Sequence, residues 1–557
     1  MKNWFKSGAP WIWLNGGAVA ISMIMVVGLI GLIAVRGLAH FWPADLVEFT
    51  MTDAQGQEQV ILGEISRSEV IPAAVARDAG VVLPQDFEED GTVERFLFKR
   101  GNRDVQSRDF AWFPDQGMSE WSYPENALSL ERRQWGDFIG YPVALEIDGE
   151  LVAEGADLIP ILRERVADSR ETHDRIRAIE RHDIGAINRA LEDLRLEQRA
   201  LAADETLSTD EVAEQLTRIN LEEAQLQAQF RELRDEIDQL RTEARRDVLT
   251  MRTADGQEAT IPLGNIVRAT QPNAMSVPEK LVEYGSRFWD FMSGEPREAN
   301  TEGGIFPALF GTVTLVLVMS VIVTPFGILA AIYLREDAKQ GPLLRLIRIS
   351  VYNLAGVPSI VFGVFGLGFF VYTMGGSIDQ LFFSERLPAP TFGRPALIWG
   401  ALTLALLTLP VVIVSTEEGL ARIPSTVRHG SLALGATKSE TLWKVVVPLA
   451  TPAMMTGLIL SIARAAGEVA PLMLVGVVML APSLPVDGTF PFLHLDRSFM
   501  HLGFHIFDVG FQSPNVEAAR PLVYATSLVL IMLIIVLNLS AIAIRNRLRE
   551  RFRSESD

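Results

Sequence analysis

Arg464 and Glu468 are the side chains of this sequence best suited to handling an ion. They stand four positions apart in Ala463-Arg464-Ala465-Ala466-Gly467-Glu468-Val469-Ala470-Pro471, late in a long apolar run. Four-residue spacing puts both on one face of a helix. Ionisable groups in a bilayer are costly, and those that persist face a bundle interior or a water-filled path. The guanidinium fork suits an oxyanion. Glu468 can pair with Arg464 and neutralise it between transport events. A structural ion pair holding apolar helices together would use the same two residues, and spacing alone leaves both readings open.

Two other segments point to movement of a solute rather than to bond-breaking. Asn353-Leu354-Ala355-Gly356-Val357-Pro358-Ser359-Ile360-Val361-Phe362-Gly363 sets Asn353 and Ser359 among Gly and Pro. Gly304-Ile305-Phe306-Pro307 and Pro325-Phe326-Gly327 share that composition. Gly and Pro at this density permit close helix approach and broken backbone, as a path needs; tight structural packing uses Gly as well. The stretch from Ser415 to Pro448 carries Glu417-Glu418, Ile423-Pro424, then His429-Gly430-Ser431-Leu432-Ala433-Leu434-Gly435-Ala436-Thr437-Lys438, and closes on Val445-Val446-Val447-Pro448. Two short amphipathic helices with a Gly between them would form a knob that a separate motor protein could grip. An ordinary surface loop is the alternative.

Composition removes other chemistries. The 557 residues include no cysteine, which excludes disulfides, thiolate metal sites and thiol nucleophiles. Seven scattered His argue against a histidine-rich metal site, and a net charge of −19 disfavours nucleic acid as a partner. No Gly-x-x-x-x-Gly-Lys-Ser/Thr loop is present, so the chain is not expected to hydrolyse ATP or to be an enzyme, and no cofactor or metal is expected.

The elements that must position these residues are apolar runs. Hydrophobic residues make up 48% and charged residues 21%, with a mean hydropathy of +0.21, which fits a chain segregated into apolar and charged parts. Six runs reach the roughly 20 residues that span a bilayer: Leu14–Val35, Ile305–Leu334, Val351–Met374, Pro395–Ser415, Ala450–Leu480 and Pro521–Ile544. The fifth is broken by Pro471 and is expected to kink or re-enter. Trp11, Trp13 and Trp42 flank the first, which is too long for a cleaved signal peptide. Lys2 and Lys6, Arg335 to Arg348, Arg422 to Lys444, and Arg545 to Arg553 all fall on one side if the spans alternate. That side is the cytoplasm, so both termini are expected inside and the segment 36–304 outside.

The external segment reads as three parts. Strand-like runs at Val60-Ile61-Leu62, Phe96-Leu97-Phe98 and Val143–Ile147 adjoin turns at Gly56, Gly101-Asn102 and Asp148-Gly149. From about Leu158 to Val248 apolar residues recur at heptad spacing, from Ile184 to Leu201 and from Val212 to Ala244, with Gln198 and Glu223 interrupting the seams. Ala202-Ala203-Asp204-Glu205 breaks the two arms, and Ser208 with Glu211 forms a capping box. One long solvated helix is the alternative to this antiparallel coiled-coil hairpin. Ala254-Asp255-Gly256-Gln257-Glu258 repeats Ala54-Gln55-Gly56-Gln57-Glu58, which suggests a small β-rich base. The fold class is therefore an α-helical integral membrane protein of six transmembrane helices with an external insertion, β-rich plus antiparallel coiled coil. Its expected domains are 1–35, 36–304 with the hairpin at 158–248, and 305–557 with a cytoplasmic loop at 416–448.

The loop resembles the coupling (EAA) loop of ABC importer permeases. Gly435 and Pro448 stand at the matching places, with Val445 and Val447 as the aliphatics, while His429, Gly430 and Ser431 replace the Glu-Ala-Ala triplet. The first span and nearly everything from Gly304 to Arg553 is similar to the PstA family of phosphate-importer permeases. Gly303–Ala308, Asn353–Ser359, Leu402–Leu406 and Ala463–Pro471 carry that resemblance. It implies a path for inorganic phosphate in a bacterial inner membrane, involving Arg464, Glu468, Ser359 and Asn353. It also implies ATPase contacts at Gly435, Ala436, Thr437, Lys438 and Pro448. The implied partners are a second permease subunit (PstC-type), two ATPase subunits (PstB-type) and a periplasmic phosphate-binding protein (PstS-type), besides the lipid bilayer. Permeases for sulfate or molybdate are the nearer alternative. A membrane-anchored sensor or scaffold is the more distant one, and it would have no use for the loop ending at Pro448.

Overall fold

Thirty residues of almost unbroken apolar character form the first helix, α1 (Pro10–Ala39). Strands β1 (Leu46–Thr52), β2 (Glu58–Pro72), β3 (Thr92–Lys99), β4 (Phe110–Pro114), β5 (Leu128–Arg132), β6 (Phe138–Ile147) and β7 (Glu150–Glu154) follow. Helices α2 (Leu158–Ala178), α3 (Ile184–Ala203) and α4 (Thr209–Arg246) lead to β8 (Val248–Arg252), β9 (Glu258–Pro262), β10 (Ile266–Thr270) and helix α5 (Val277–Ser293). The remainder is helical: α6 (Phe306–Asp337), α7 (Pro342–Leu354), α8 (Ser359–Phe382), α9 (Leu397–Ala421), α10 (Ser425–Ala433), α11 (Lys438–Gly467), α12 (Leu502–Phe511) and α13 (Val516–Arg547). The computed structural model describes residues 7–52, 58–78, 91–106, 108–203, 207–513 and 516–554. Among them six helices, α1, α6, α8, α9, α11 and α13, are long and apolar enough to cross a membrane. The chain is thus a mostly helical multi-pass membrane protein.

It divides into two units. One holds Met1–His40, Phe291–Glu295 and Gly304–Asp557; the other holds Phe41–Asp290 and Pro296–Gly303. In the second unit, β1 to β4 form an antiparallel sheet in sequence order, and another sheet runs β10-β5-β6-β8-β9 with β7 beside β6. The repeated sequence maps onto two hairpins of matching register, in which Thr52 pairs with Glu58 and Arg252 with Glu258. Ile61 and Ile261 are both buried. Gly256 turns at φ +87°; Gly56 lies outside the described residues. Asp148 and Gly149 both take positive φ and close β6 onto β7, a two-residue hairpin turn whose twist suits the strands. Ser208 opens α4: its Oγ accepts from the Glu211 N–H, and its own N–H donates to the Glu211 carboxylate at 3.0 Å. A π-helical turn, Ile179–Asp183, joins α2 to α3. Ile176 and Ile179 pack with Ile237, and Leu194 and Leu201 pack with Ile219. Asp204 and Glu205 of the anticipated break lie outside the described residues.

In the first unit α9 is central. Trp399, Leu404, Leu407 and Val412 are buried in a cluster with Leu315 and Met319 of α6, Val371 of α8 and Ala465 of α11. Glycines allow this: Gly327 meets Val412, Gly366 meets Thr403, Gly419 meets Ala453 and Gly457 meets Ser415, each with no room for a Cβ. Three expected spans differ. The third is not continuous from Val351 to Met374, because α7 ends at Leu354 and α8 starts at Ser359. The fifth starts at Lys438 rather than Ala450 and stops at Gly467, short of Leu480. The fourth runs on to Ala421, so Glu417 and Glu418 belong to α9 and not to a loop beginning at 416. Glu417 is accommodated there by an ion pair with Arg348 at 2.5 Å.

Candidate functional site

α9 works as a ruler for depth. Toward its C-terminal end, Glu417 holds Arg348 of α7, and Ile413 clusters with Val351. Toward its start, Thr403 meets Gly366 of α8. The break between α7 and α8, residues 355–358, falls between those levels, beside the middle of α9. Pro358 explains it: proline has no N–H to donate, its ring clashes with the carbonyl four residues back, and it keeps Val357 out of helical geometry. Pro358 is the N-cap of α8 and no side chain caps that helix start. Asn353, at the end of α7, is exposed, and Ser359, the first residue of α8, is half-buried.

A second break follows α11. Pro471 bars a helical carbonyl at Gly467 for the same reason, so the helix stops there. Glu468 is extended (φ −79°, ψ 132°), and a short helix resumes at Leu472–Val475. Arg464 and Glu468 are therefore not on one helix face, as their spacing suggested. They still meet, with Arg464 Nε 3.6 Å from Glu468 Oε1, an ion pair without a hydrogen bond. Arg464 lies in the last turn of α11, where a cation is favoured by the helix dipole. Gly457 sits against Ser415, and seven residues of helix carry Arg464 about 10 Å beyond that level, to the middle of α9.

Past the first break, α8 touches the second. Gly363, one turn into α8, lies so close to Pro471 that a Cβ would stand 2.7 Å from its Cα. Arg464 and Glu468 are brought together, Asn353 and Ser359 flank one break, and both sets share the middle depth. Among the described residues no hydrogen bond or ion pair joins the two sets. Sequence reasoning missed Asp379, which is buried within α8 and accepts from the Phe392 N–H at 2.9 Å and the Gly393 N–H at 2.6 Å. It also missed His501, buried at the start of α12, where Gly503 packs against Val469 of the second break. An acid and a histidine inside apolar runs were the available signals.

The residues expected to couple to an ATPase form a compact element. α10 ends at Ala433, Gly435 takes φ +91°, which a side chain would strain, and Thr437 caps α11. Thr437 and Glu440 form a capping box, with the Thr437 N–H donating to the carboxylate at 3.0 Å. Lys438 pairs with Asp337 at 2.6 Å, and Arg428 pairs with Glu336 at 2.7 Å while donating to the carbonyls of Ile423 and Leu420. Ser431 of the departed triplet bonds Thr441 at 2.9 Å. Pro448 does not close a loop: it lies inside α11, just after the π-helical turn Leu442–Val446, whose wider ring accommodates a residue with no N–H. Ala436 and Pro448 are partly covered, whereas Gly435, Thr437 and Lys438 are exposed. Leu434, which the sequence did not single out, is 90% exposed beside them.

Residues 323–554 match the family described as binding-protein-dependent transport system inner membrane component. The chain is 39% identical over 175 residues to the phosphate transport system permease protein PstA of Mycobacterium leprae (strain TN), covering 31% of this chain and 52% of that one. It is 31% identical over 247 residues to the probable ABC transporter permease protein YqgI of Bacillus subtilis (strain 168), covering 43% of this chain and 76% of that one. The chain spans about half the length of the mycobacterial PstA proteins it matches. Among solved structures, the inward-facing MetNI methionine ABC transporter aligns at 18% identity and a TM-score of 0.32, over 49% of this chain and 99% of that one.

Proposed function

Because the chain belongs to the family of binding-protein-dependent transport system inner membrane components, we propose that it is a PstA-type permease subunit of an ABC importer whose cargo is inorganic phosphate. The observation that carries this reading is the contact of α8 with the break after α11, with Arg464 at that break and the uncapped start of α8 one turn from the contact. Broken helices line substrate sites in membrane transporters, and a helix start and a guanidinium both present N–H donors to an anion. Phosphate passing the breaks would be drawn to Arg464, with Asn353 and Ser359 lining the path. Glu468, held loosely at 3.6 Å, competes for the same guanidinium and promotes release. Relatives named as phosphate permeases favour phosphate over sulfate or molybdate.

A second permease (PstC-type) completes the path, two ATPase subunits (PstB-type) drive it, and a periplasmic phosphate-binding protein (PstS-type) delivers the ion. The element from α10 to Lys438 receives the ATPase, with Leu434 and the turn at Gly435 as its contact. Pro448 sets the π-turn that aims α11. Both termini are cytoplasmic, residues 36–304 are periplasmic, and the helices of 158–248 form an antiparallel coiled-coil hairpin that docks the binding protein or a neighbouring envelope component.

The test is labelled-phosphate uptake in a bacterium lacking its own high-affinity permease and supplied with the four-component system. Arg464→Gln should abolish uptake with the complex still in the membrane. Glu468→Gln should leave slower transport, and Gly435→Asp should uncouple ATPase activity from uptake. If Arg464→Gln instead removes the protein from the membrane and adding Glu468→Gln restores it, the pair is a structural bridge. Competition by sulfate or molybdate at equal concentration would overturn the assignment of cargo.

A further inference from the structure

Helix α5 is built inside out for a helix surrounded by water. A surface helix normally turns its charges to solvent and its apolar stripe to the core. In α5 the charges beyond the first turn, where exposed Glu279 caps the helix with Ser276, face the protein. Lys280 is buried on Asp45, Glu283 accepts from Arg268 at 2.6 Å and from Arg287 at 3.0 Å, and Asp290 pairs with Arg268. The outward face carries Val277, Leu281, Val282 and Trp289, which are 64, 57, 75 and 68% exposed. Ion pairs on the inner face offset the loss of water around those charges. Nothing comparable offsets four large apolar side chains in water, so the pattern fits a medium that is apolar outside.

The chain says which medium. α1, an apolar spanning helix, ends at Ala39, and α6, another, starts at Phe306, thirteen residues beyond the end of α5. Phe41 and Trp42, immediately after α1, pack onto α5: Phe41 lies edge-on to Phe288 at 5.3 Å, and Trp42 approaches Tyr284 at 6.3 Å. Aromatic residues at the ends of spanning helices mark the headgroup level, and Trp289 continues that set on the outward face of α5.

We propose that α5 lies in the membrane interface, with Val277, Leu281, Val282 and Trp289 seated in lipid at the boundary of headgroups and acyl chains. Such a helix is anchored by apolar area alone. Its cations, Lys280 and Arg287, are committed to internal pairs, so it does not need anionic lipid.

The absence of cysteine makes the test clean. Single cysteines at Val282→Cys and Trp289→Cys, in the full chain reconstituted into vesicles of phosphatidylethanolamine and phosphatidylglycerol, carry a nitroxide label. Val321→Cys, on the exposed face of α6, and Gln225→Cys, on exposed α4, give the lipid and water references. Collision with oxygen relative to an aqueous nickel chelate should be several-fold higher at 282 and 289 than at 225, and should approach the value at 321. Accessibility like that at 225 would overturn the proposal. So would labels at 282 and 289 that are wetted in the lone chain and lose both collisions once the second permease is added, because the occupant would then be protein. A ratio unchanged in vesicles of phosphatidylcholine alone supports anchoring by apolar area.

Discussion

The two units of this chain hold together in opposite ways. In the strand-bearing unit, large apolar side chains fill the interior, Phe49, Phe98, Phe138 and Leu145 among them, and buried charges are matched pair by pair around Arg268, Arg132 and Lys99. In the helical unit the closest contacts are made by glycine. Gly311 abuts the Met500 carbonyl, Gly419 abuts Ala453 and Gly457 abuts Ser415. Its buried hydroxyls, such as those of Thr312, Thr403, Thr408 and Ser461, all donate to the carbonyl four residues back, and Thr312 also accepts from the Leu502 N–H at 2.9 Å. Water gives the strand-bearing unit a hydrophobic drive, so bulk and paired charge suffice. Lipid gives the helical unit almost none, and its helices gain by approaching closely.

The largest effect should come from a charge in the strand-bearing unit. Arg268 is nearly buried among Glu283, Asp290 and Glu131, with Nη1 2.6 Å from Glu283 and Nε 3.4 Å from Glu131. Burial opposes ionisation of Glu131, but Arg297 and Arg268 overcome it and hold its pKa at about 2. Arg268→Met would leave Glu131 with Arg297 alone, Glu283 with Arg287 alone and Asp290 with Arg170 at 3.8 Å, and losing one partner of a buried pair costs about 3–5 kcal/mol. Pulse proteolysis of the full chain in urea should show the fragments of this unit released at lower denaturant, with those of the helical unit unmoved. Equal shifts in both would mean that the units do not melt separately.

Steric crowding is the corresponding weakness of the helical unit. A Cβ on Gly311 would run into a backbone carbonyl that no rotamer change can move aside. Gly311→Ala should therefore cost about 1–3 kcal/mol, the usual price of overpacking. Gly28→Ala, on α1 with nothing within 4 Å, is the control and should be neutral or slightly stabilising, since alanine favours helix. Thermal unfolding in nanodiscs separates the two. Equal tolerance at 28 and 311 would show that close approach is not what holds these helices.

The same contrast explains what could be read in advance. Hydropathy finds six membrane helices because apolar runs are long whatever their backbone does. It cannot see that Ala355-Gly356-Val357-Pro358 is non-helical, since those residues are as apolar as the helices on either side. Gly356 and Pro358 carried the signal, and hydropathy outweighed it. The start of α11 was hidden the other way: Lys438 to Lys444 is polar and reads as loop, although Thr437 and Glu440 repeat the capping pattern that Ser208 and Glu211 had already displayed. The pairing of Arg464 with Glu468 survives the end of the helix between them only because an extended Glu468 still reaches back. The meeting of α8 with the second break through Gly363 and Pro471 is tertiary, and no spacing within either motif encodes it.

A last expected effect separates the units by pH. Glu302 belongs to the strand-bearing unit, and its Oε2 is buried without a hydrogen-bond partner. Burial, reinforced by Asp137, raises its pKa from the ordinary 4.5 to about 8, against the pull of Lys99 and Arg297. The unfolded chain loses this proton near 4.5, while the folded chain keeps it to about 8, so between those values the folded state binds more protons. Stability therefore falls as pH rises through that window and levels off above it. Glu302→Gln is neutral in both states and should remove this decline, leaving the variant the more stable form at pH 9 and little changed at pH 4.5. Pulse proteolysis across pH 4.5 to 9 reads it on fragments of this unit. An unaltered slope in Glu302→Gln would assign the pH dependence to other groups and leave Glu302 ionised at neutral pH.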